Sequence, residues 1–290
     1  MLGEKHAWRN LRHSAIKRSD QPKMPLDPKM LNSVVRITSA GDLLGTGSIV
    51  AVASESIPGM RWPYLVTAHH VVKSQVLVEV DVLDPLSFGD WFDPIPVEDW
   101  RQPLPGIDLA IAPFPRARVP RYQAFALEHF VPEGLVVPLG GPIYYLGIFA
   151  PLNVPMGRPA NLGALDVSIV KDDYRYLADL VDCRSYRGFS GSPCVSTMPY
   201  AVLDGDSVEL PPFTQPESDD GTTPTLGRIS HVALFCGIFT AHYSDETAAE
   251  GVVSRYGVGV MLACDWVRAA LMTGYAVEER RLADKKYMTD

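Results

Sequence analysis

The stretch Tyr64-Leu-Val-Thr-Ala-His-His-Val-Val72 begins as a short apolar run and ends on a pair of histidines. Apolar runs rich in β-branched residues are typical of buried strands. Similar runs recur along the 290-residue chain, separated by many of its 25 prolines and 23 glycines. Because strand and long helix do not alternate regularly, the pattern predicts an all-β sandwich or barrel and not a doubly wound α/β sheet. The other runs are Val34–Thr38, Ser48–Ala53, Val76–Val82, Leu109–Pro113, Ile143–Phe149, Leu165–Val170, Val232–Phe239 and Gly257–Leu262.

The composition excludes several classes of function. A chain that is 47% hydrophobic and 21% charged is globular, and a net charge of −8 argues against nucleic-acid binding. No apolar run approaches the roughly 18 to 20 residues that span a bilayer, so we expect no membrane partner. The basic N-terminus is not followed by the apolar stretch of a signal peptide, which favours a cytoplasmic location. The four cysteines are widely scattered, so we expect free thiols and no metal site.

Two segments have helical patterns, and one long segment has none. Residues 4–18 show a weak amphipathic spacing, and residues 265–273 begin with Asp265 as a candidate N-cap. Residues 204–228 combine acidic residues, proline, glycine and threonine, which predicts a long surface loop. That loop either gates a neighbouring cleft or is a harmless insertion.

Three segments carry groups with catalytic chemistry, in the order His, Asp, Ser. They are the histidine pair at 69–70, Asp108 within Gly106–Pro113, and Ser190 within Arg187–Pro193. A serine hydroxyl becomes a nucleophile when an imidazole takes its proton and a carboxylate orients that imidazole. A glycine two residues before the serine lets two backbone N–H groups converge on an oxyanion.

Taken singly, each segment has a simpler interpretation. The histidine pair could bind a metal or be solvated, Asp108 could cap a strand, and the glycine-rich segment could be a tight surface turn. Their joint occurrence in this order favours catalysis. An α/β-hydrolase would present Ser, then the acid, then His, so the chain order argues against that fold.

The motifs resemble those of the chymotrypsin/trypsin-like serine proteases, closest to bacterial trypsin-like and HtrA-type protease domains. The resemblance covers roughly residues 33–273. It rests on Gly45-Thr-Gly-Ser-Ile-Val50, Thr67-Ala-His-His-Val71, Ile107-Asp-Leu-Ala-Ile111, Gly188-Phe-Ser-Gly-Ser-Pro193, Cys236-Gly-Ile-Phe-Thr240 and Gly257-Val-Gly-Val-Met-Leu262.

The resemblance implies a fold of two six-stranded antiparallel β-barrels with a short C-terminal helix and the site between them. Residues 33–118 would form the first barrel, with His70 and Asp108. Residues 136–274 would form the second barrel and the helix, with Ser190. The remaining parts would be an N-terminal arm at 1–32, an interlobe linker at 119–135 and a charged, solvated tail at 275–290.

The activity implied is that of a serine endopeptidase acting on protein or peptide substrates through an acyl-enzyme, with no cofactor and no metal. His70 would be the general base, since the motif leaves His69 at a variable position. Asp108 would orient His70, and the N–H groups of Gly188 and Ser190 would form the oxyanion hole. The alternatives are a latent or non-catalytic binding module of the same fold and a hydrolase of small esters. A regulatory partner protein is left open.

The sequence departs from the family pattern at several positions. Phe189 replaces the aspartate that pairs with a newly cut N-terminus in secreted members, so we expect no activation of that kind. Ser192 replaces a glycine, and Val71 replaces a cysteine.

By alignment the base of the specificity pocket has no acidic residue, so a preference for Lys or Arg at P1 is not expected. Arg184, Ser185 and His242 could bind an acidic P1 side chain through charge-assisted hydrogen bonds. The alternative is that Arg184 points away or pairs with Asp182 or Asp179, which would leave an apolar pocket. Its residues would be Arg184, Ser185, Thr240, Ala241 and His242.

Overall fold

The computed structural model describes residues 26–86, 90–119, 121–133, 135, 137–171, 173–183, 188–197, 233–244 and 255–289. The predicted helix at 4–18 and the predicted loop at 204–228 lie outside these ranges. The helices in the described ranges are α1 (His69–Val72), α2 (Cys264–Leu271) and α3 (Gly274–Thr289). The strands are β1 (Val34–Ser39), β2 (Asp42–Ala53), β3 (Arg61–Thr67), β4 (Glu79–Val82), β5 (Ile95–Pro96), β6 (Ala110–Pro113), β7 (Phe125–Ala126), β8 (Pro142–Phe149), β9 (Val154–Lys171), β10 (Tyr174–Asp182), β11 (Pro193–Ser196), β12 (Leu234–Ser244) and β13 (Arg255–Ala263).

The strands form two sheets, one in each lobe, and the all-β prediction is confirmed. The second sheet is a closed six-stranded barrel in the order β10-β13-β12-β11-β8-β9. The first sheet runs β5-β4-β1-β2-β3-β6, with β7 parallel to β2, and is a half-barrel among the described residues. It differs from the predicted closed six-stranded barrel because β5 and β6, at the two ends of the sheet, do not pair and a seventh strand joins β2. The outer edge of β6 is met by Arg101, which exchanges backbone hydrogen bonds of 2.8 and 2.9 Å with Ile111.

The interlobe linker and the end of the predicted arm are part of the packed core. Phe130, from the linker, stacks on Phe235 of β12 with ring centroids 4.3 Å apart. Met30 lies in a 3₁₀ turn over Pro28–Ser33 and is 1% exposed. Buried apolar side chains are the main source of folding free energy, so the fold begins before residue 33 and the predicted boundary of the arm is wrong.

The four cysteines, at 183, 194, 236 and 264, are free and buried in the second lobe. This agrees with the prediction of unpaired thiols. Burial raises the pKa of Cys183 to about 11 and that of Cys264 to about 12, which keeps both thiols protonated and unreactive at neutral pH. None of the helices in the described ranges has the length and apolar composition to span a bilayer.

The prediction of a solvated tail at 275–290 is wrong, because residues 274–289 form α3 and pack on the first lobe. Asp284 is 3% exposed, and its carboxylate accepts hydrogen bonds from Ser54 Oγ (2.8 Å) and Trp62 Nε1 (2.7 Å). Arg280 is buried and donates to the Leu271 carbonyl at 2.8 Å. Charged residues four apart share one helix face, so a charged sequence still provides a buried face whose polar groups are satisfied.

Removing the buried carboxylate of α3 tests this docking. Asp284→Ala leaves the Trp62 N–H without its acceptor, and we expect a loss of about 1 to 3 kcal/mol in the free energy of unfolding. Glu278→Ala is the matched control, because Glu278 is exposed on the same helix and should change stability by less than about 0.5 kcal/mol. Urea unfolding measures both. Equal stability of the two variants would contradict the docking.

A second buried acid makes stability depend on pH. Asp179 on β10 is 9% exposed and accepts the backbone N–H of Asp166 at 3.2 Å. Burial raises its pKa to about 6 from 3.8, and the charge of Asp166 adds to the shift. The folded state therefore holds this proton more tightly than the unfolded state, so the free energy of unfolding falls as pH rises from about 4 to 6.

Asp179→Asn should remove this penalty, because the amide oxygen still accepts the Asp166 N–H and carries no charge. We expect the variant to be more stable than wild type by about 1 to 2 kcal/mol at pH 8, after allowance for solvent screening, and nearly equal at pH 4. Thermal unfolding at the two pH values measures the difference. A stability gain that is the same at both pH values would contradict the assignment.

Candidate active site

His70 and Asp108 meet because their strands are paired. β3 and β6 are antiparallel, with Thr67 opposite Ala110. His70 follows Thr67 by three residues, in α1, and Asp108 precedes Ala110 by two. Both residues therefore lie at the same end of this strand pair, in the first lobe.

The two side chains are joined by a short hydrogen bond. His70 Nδ1 lies 2.7 Å from Asp108 Oδ2, and the backbone N–H of His70 donates to Asp108 Oδ1 at 2.9 Å. Asp108 is 4% exposed, whereas the His70 side chain is 35% exposed. A carboxylate that accepts the Nδ1 proton fixes the tautomer in which Nε2 is a proton acceptor. No hydrogen-bond partner of His70 Nε2 lies within the described residues.

His69 has a different partner. Its Nδ1 lies 3.1 Å from the Tyr174 hydroxyl, and the two rings meet edge to face at 5.9 Å. Burial lowers the pKa of His69. The structure therefore pairs His70 with the carboxylate and places His69 against β10 of the second lobe.

The turn that carries Ser190 is hydrogen-bonded to the first lobe. The Thr46 N–H donates to the Ser190 carbonyl at 2.8 Å, and the Thr46 hydroxyl donates to the Gly188 carbonyl at 2.6 Å. The same hydroxyl accepts the Ile148 N–H at 3.0 Å. One buried threonine on β2 thus fixes the turn on both sides of the serine.

Gly191 allows the turn to approach the segment before His70. Its φ is +85°, and a Cβ there would lie 2.0 Å from the Thr46 carbonyl oxygen and 3.1 Å from the Ala68 nitrogen. Gly191, the residue after Ser190, therefore packs against the start of α1. Within the described residues, no hydrogen bond of 3.5 Å or less joins Ser190 Oγ to His70. Catalytic hydrogen bonds are often long without substrate and shorten in the complex.

Two backbone donors flank the serine. Gly188 has φ +99°, a conformation that favours glycine, and it is buried with its neighbour Phe189. The N–H groups of Gly188 and Ser190 donate to no acceptor among the residues that the structure describes. These are the two donors that the sequence resemblance assigns to an oxyanion hole.

The predicted specificity residues are only partly described. Arg184 and Ser185 lie outside the described residues. Thr240 is buried on β12, where its hydroxyl donates to the Val260 carbonyl at 3.3 Å. Ala241 is half-buried. The backbone of His242 pairs with Gly259, and its side chain lies outside the described part of the chain.

Sequence analysis did not identify two tyrosines of β10 beside the site. Tyr176 Oη lies 3.3 Å from Thr240 Oγ1. Burial raises the pKa of Tyr176 to about 12, and the negative charge of Asp108 adds to the shift. Tyr174 contacts His69, and the Arg175 N–H donates to the Gly106 carbonyl at 2.8 Å. The alternation of buried residues in β10 could have indicated a strand, but nothing in it indicated contact with the other lobe.

Across the parts of the chain that the structure describes, no three His, Cys, Asp or Glu side chains converge as metal ligands do. No protein-family model matches the chain, and no curated protein does. Among solved structures, the MamO protease domain from Magnetospirillum magneticum (apo form) matches with a TM-score of 0.56 and 15% sequence identity, over 86% of this chain and 100% of that one.

The fold is that of a trypsin-like protease domain. At 15% identity the likeness extends to the fold alone. Two structures of Rv3671c in inactive forms have TM-scores of 0.47. The first, the Rv3671c protease, has 17% identity over 83% of this chain and 88% of that one. The second, a serine-to-alanine variant from M. tuberculosis H37Rv, has 16% identity over 87% and 92%. In this chain His70 and Asp108 belong to the first lobe, and Ser190 lies in the turn before β11 of the second lobe.

Proposed function

We propose that the protein is a serine endopeptidase that cleaves protein or peptide substrates. The observation that carries the proposal is the pair of hydrogen bonds between His70 and Asp108. They lie in the same lobe as Thr46, whose N–H holds the turn that carries Ser190. Acyl transfer needs a buried carboxylate, an imidazole oriented by it, and a serine near backbone N–H groups that have no other acceptor. Asp108, His70, Ser190 and the N–H groups of Gly188 and Ser190 supply this set among the described residues. The likeness to the MamO protease domain supports the fold in which this chemistry is proposed.

In the proposed mechanism, Ser190 Oγ attacks the carbonyl carbon of the scissile peptide bond while His70 Nε2 takes its proton. The negative charge that develops on the carbonyl oxygen is bound by the N–H groups of Gly188 and Ser190. The tetrahedral intermediate then expels the amine, which leaves with the proton held by His70. His70 then takes a proton from water as the water oxygen attacks the acyl carbon. When the bond from that carbon to Ser190 Oγ breaks, His70 gives the proton to Ser190 Oγ and the carboxylic acid product leaves.

Asp108 has two tasks in this scheme. It holds the Nδ1 proton, so that Nε2 is the basic nitrogen, and it stabilises the imidazolium that forms after proton transfer. Its burial strengthens both effects, because a charge in a poorly hydrated site interacts more strongly with its neighbour. The second acceptor bond, from the backbone N–H of His70, keeps the carboxylate in place.

Cleavage of an unfolded protein mixture tests the proposal. We expect incubation with the wild-type chain to generate new N-termini, identified by mass spectrometry, and we expect none with His70→Ala. Enrichment of Asp or Glu on the acyl side of the cut would support the predicted acidic P1 preference, and its absence would remove that prediction. A folded wild-type chain that generates no new termini would support the alternative of a non-catalytic binding module.

A further inference from the structure

Phe189, the residue before the candidate nucleophile, is an apolar anchor inside the second barrel. It is 0% exposed and meets Tyr145 edge to face with ring centroids 5.3 Å apart. Tyr145 in turn stacks on Phe239, again at 5.3 Å. Both partners are 1% exposed. The side chain next to Ser190 therefore belongs to a buried row of three aromatic rings, defined here as the aromatic anchor.

The backbone of the turn that carries Ser190 is hydrogen-bonded to the backbone of Phe239, a member of the aromatic anchor. The Gly191 N–H donates to the Phe239 carbonyl at 2.7 Å, and the Phe239 N–H donates to the Ser192 carbonyl at 2.8 Å. The Ser192 N–H donates to the Phe189 carbonyl at 3.0 Å and closes the turn. Ring packing and backbone bonds thus hold residues 188–192 against β12.

A glycine on β8 makes room for the anchor. A Cβ at Gly147 would lie 2.3 Å from Phe189 Cδ1 and 2.7 Å from Phe189 Cε1. Real Cβ atoms essentially never approach so closely, so with a larger residue at position 147 the Phe189 ring would have to shift. The site is shaped for an apolar ring, where a carboxylate would have to lose its hydration.

On the basis of the proposed function, we infer that Phe189 is a positioning residue. It fixes the Gly188–Ser190 turn in its oxyanion-binding arrangement through Tyr145 and Phe239. The arrangement is built from apolar packing and backbone bonds, so it requires no ion pair with a freed N-terminal amine. The turn is therefore ordered without N-terminal processing.

Two phenylalanine-to-leucine substitutions distinguish an effect on the position of the Ser190 turn from a general loss of stability. Phe189→Leu shortens the ring that supports the turn. Phe125→Leu removes the same volume from a ring that is also 0% exposed but packs on Phe235, away from the turn. We expect Phe189→Leu to lower kcat at least tenfold with KM within twofold, and Phe125→Leu to lower the unfolding temperature similarly with kcat within twofold. Equal kcat losses in the two variants, or no loss in Phe189→Leu, would overturn the inference.

Hydrogen exchange supplies a measurement that does not need activity. We expect the hydrogen-bonded amides of Gly191 and Ser192 to exchange at least tenfold faster in Phe189→Leu than in wild type, and at the wild-type rate in Phe125→Leu. Unchanged exchange in Phe189→Leu would contradict the anchor. Because this test works on an inactive chain, failure of the proposed function and failure of the inference are distinguishable.

Blocking the N-terminus tests independence from processing. We expect the chain with a fused N-terminal tag to cleave a peptide substrate as fast, within twofold, as the same chain after the tag is removed. Activity that appears only after the new terminus is freed would overturn the inference.

Discussion

Ser190→Ala is expected to reduce kcat for peptide cleavage by about 10⁶-fold, because the alanine offers no oxygen to attack the carbonyl carbon. Residual hydrolysis would come from the oxyanion donors and substrate binding alone. Turnover of a fluorogenic peptide measures the loss. Thermal unfolding should show little change, since the Ser190 contact with Thr46 uses the backbone carbonyl and survives the substitution.

A second buried serine provides the control. Ser48 on β2 is 0% exposed, and its hydroxyl has no hydrogen-bond partner among the described residues. Ser48→Ala should retain kcat within about twofold, because this hydroxyl makes no bond that is lost. Turnover by Ser190→Ala at the Ser48→Ala rate would show that another group is the nucleophile.

Asp108→Asn is expected to reduce kcat by about 10⁴-fold at neutral pH. The amide oxygen can still accept one proton from His70, so the geometry persists. The amide N–H₂ opposite the imidazole favours the tautomer in which the proton sits on Nε2, the nitrogen that must take the serine proton. The neutral side chain also cannot stabilise the imidazolium.

The pH profile distinguishes this effect from unfolding. The Asp108→Asn rate should recover with increasing pH, where hydroxide replaces the lost base, while the unfolding temperature stays near that of wild type. Asp179→Asn is the matched control, because it changes a second buried aspartate in the other lobe and should leave kcat within about twofold. A loss in Asp108→Asn no larger than that in Asp179→Asn would contradict the role of Asp108.

The parts of the molecule that follow from local pattern could be predicted from the sequence. Short apolar runs predicted most of the strands, because alternating or fully buried β-branched residues pack well only in sheets. The motif around residues 67–71 predicted that His70 and not His69 would face the carboxylate, and the structure places them so. Helix α2 was predicted at residues 265–273 and is found at Cys264–Leu271, but its N-cap is Ala263 and not the predicted Asp265.

The contacts between distant segments could not be predicted. Helix α3 was missed because its buried face carries the charged residues Arg280 and Asp284, and the partners of Asp284, Ser54 and Trp62, lie far away in the sequence. The hairpin of β9 and β10 reaches the other lobe through Tyr174 and Arg175, and no local pattern encodes that approach. The P1 preference, the cytoplasmic location and the regulatory partner stay predictions.

Labelling with a fluorophosphonate tests the central claim most directly, since this reagent phosphonylates a serine only where a base and an oxyanion site activate it. We predict one adduct per chain, mapped by peptide mass spectrometry to Ser190, with no labelling of Ser190→Ala and labelling of Asp108→Asn slowed at least a hundredfold. A folded wild-type chain that takes no label, or takes it at another residue, would contradict the account.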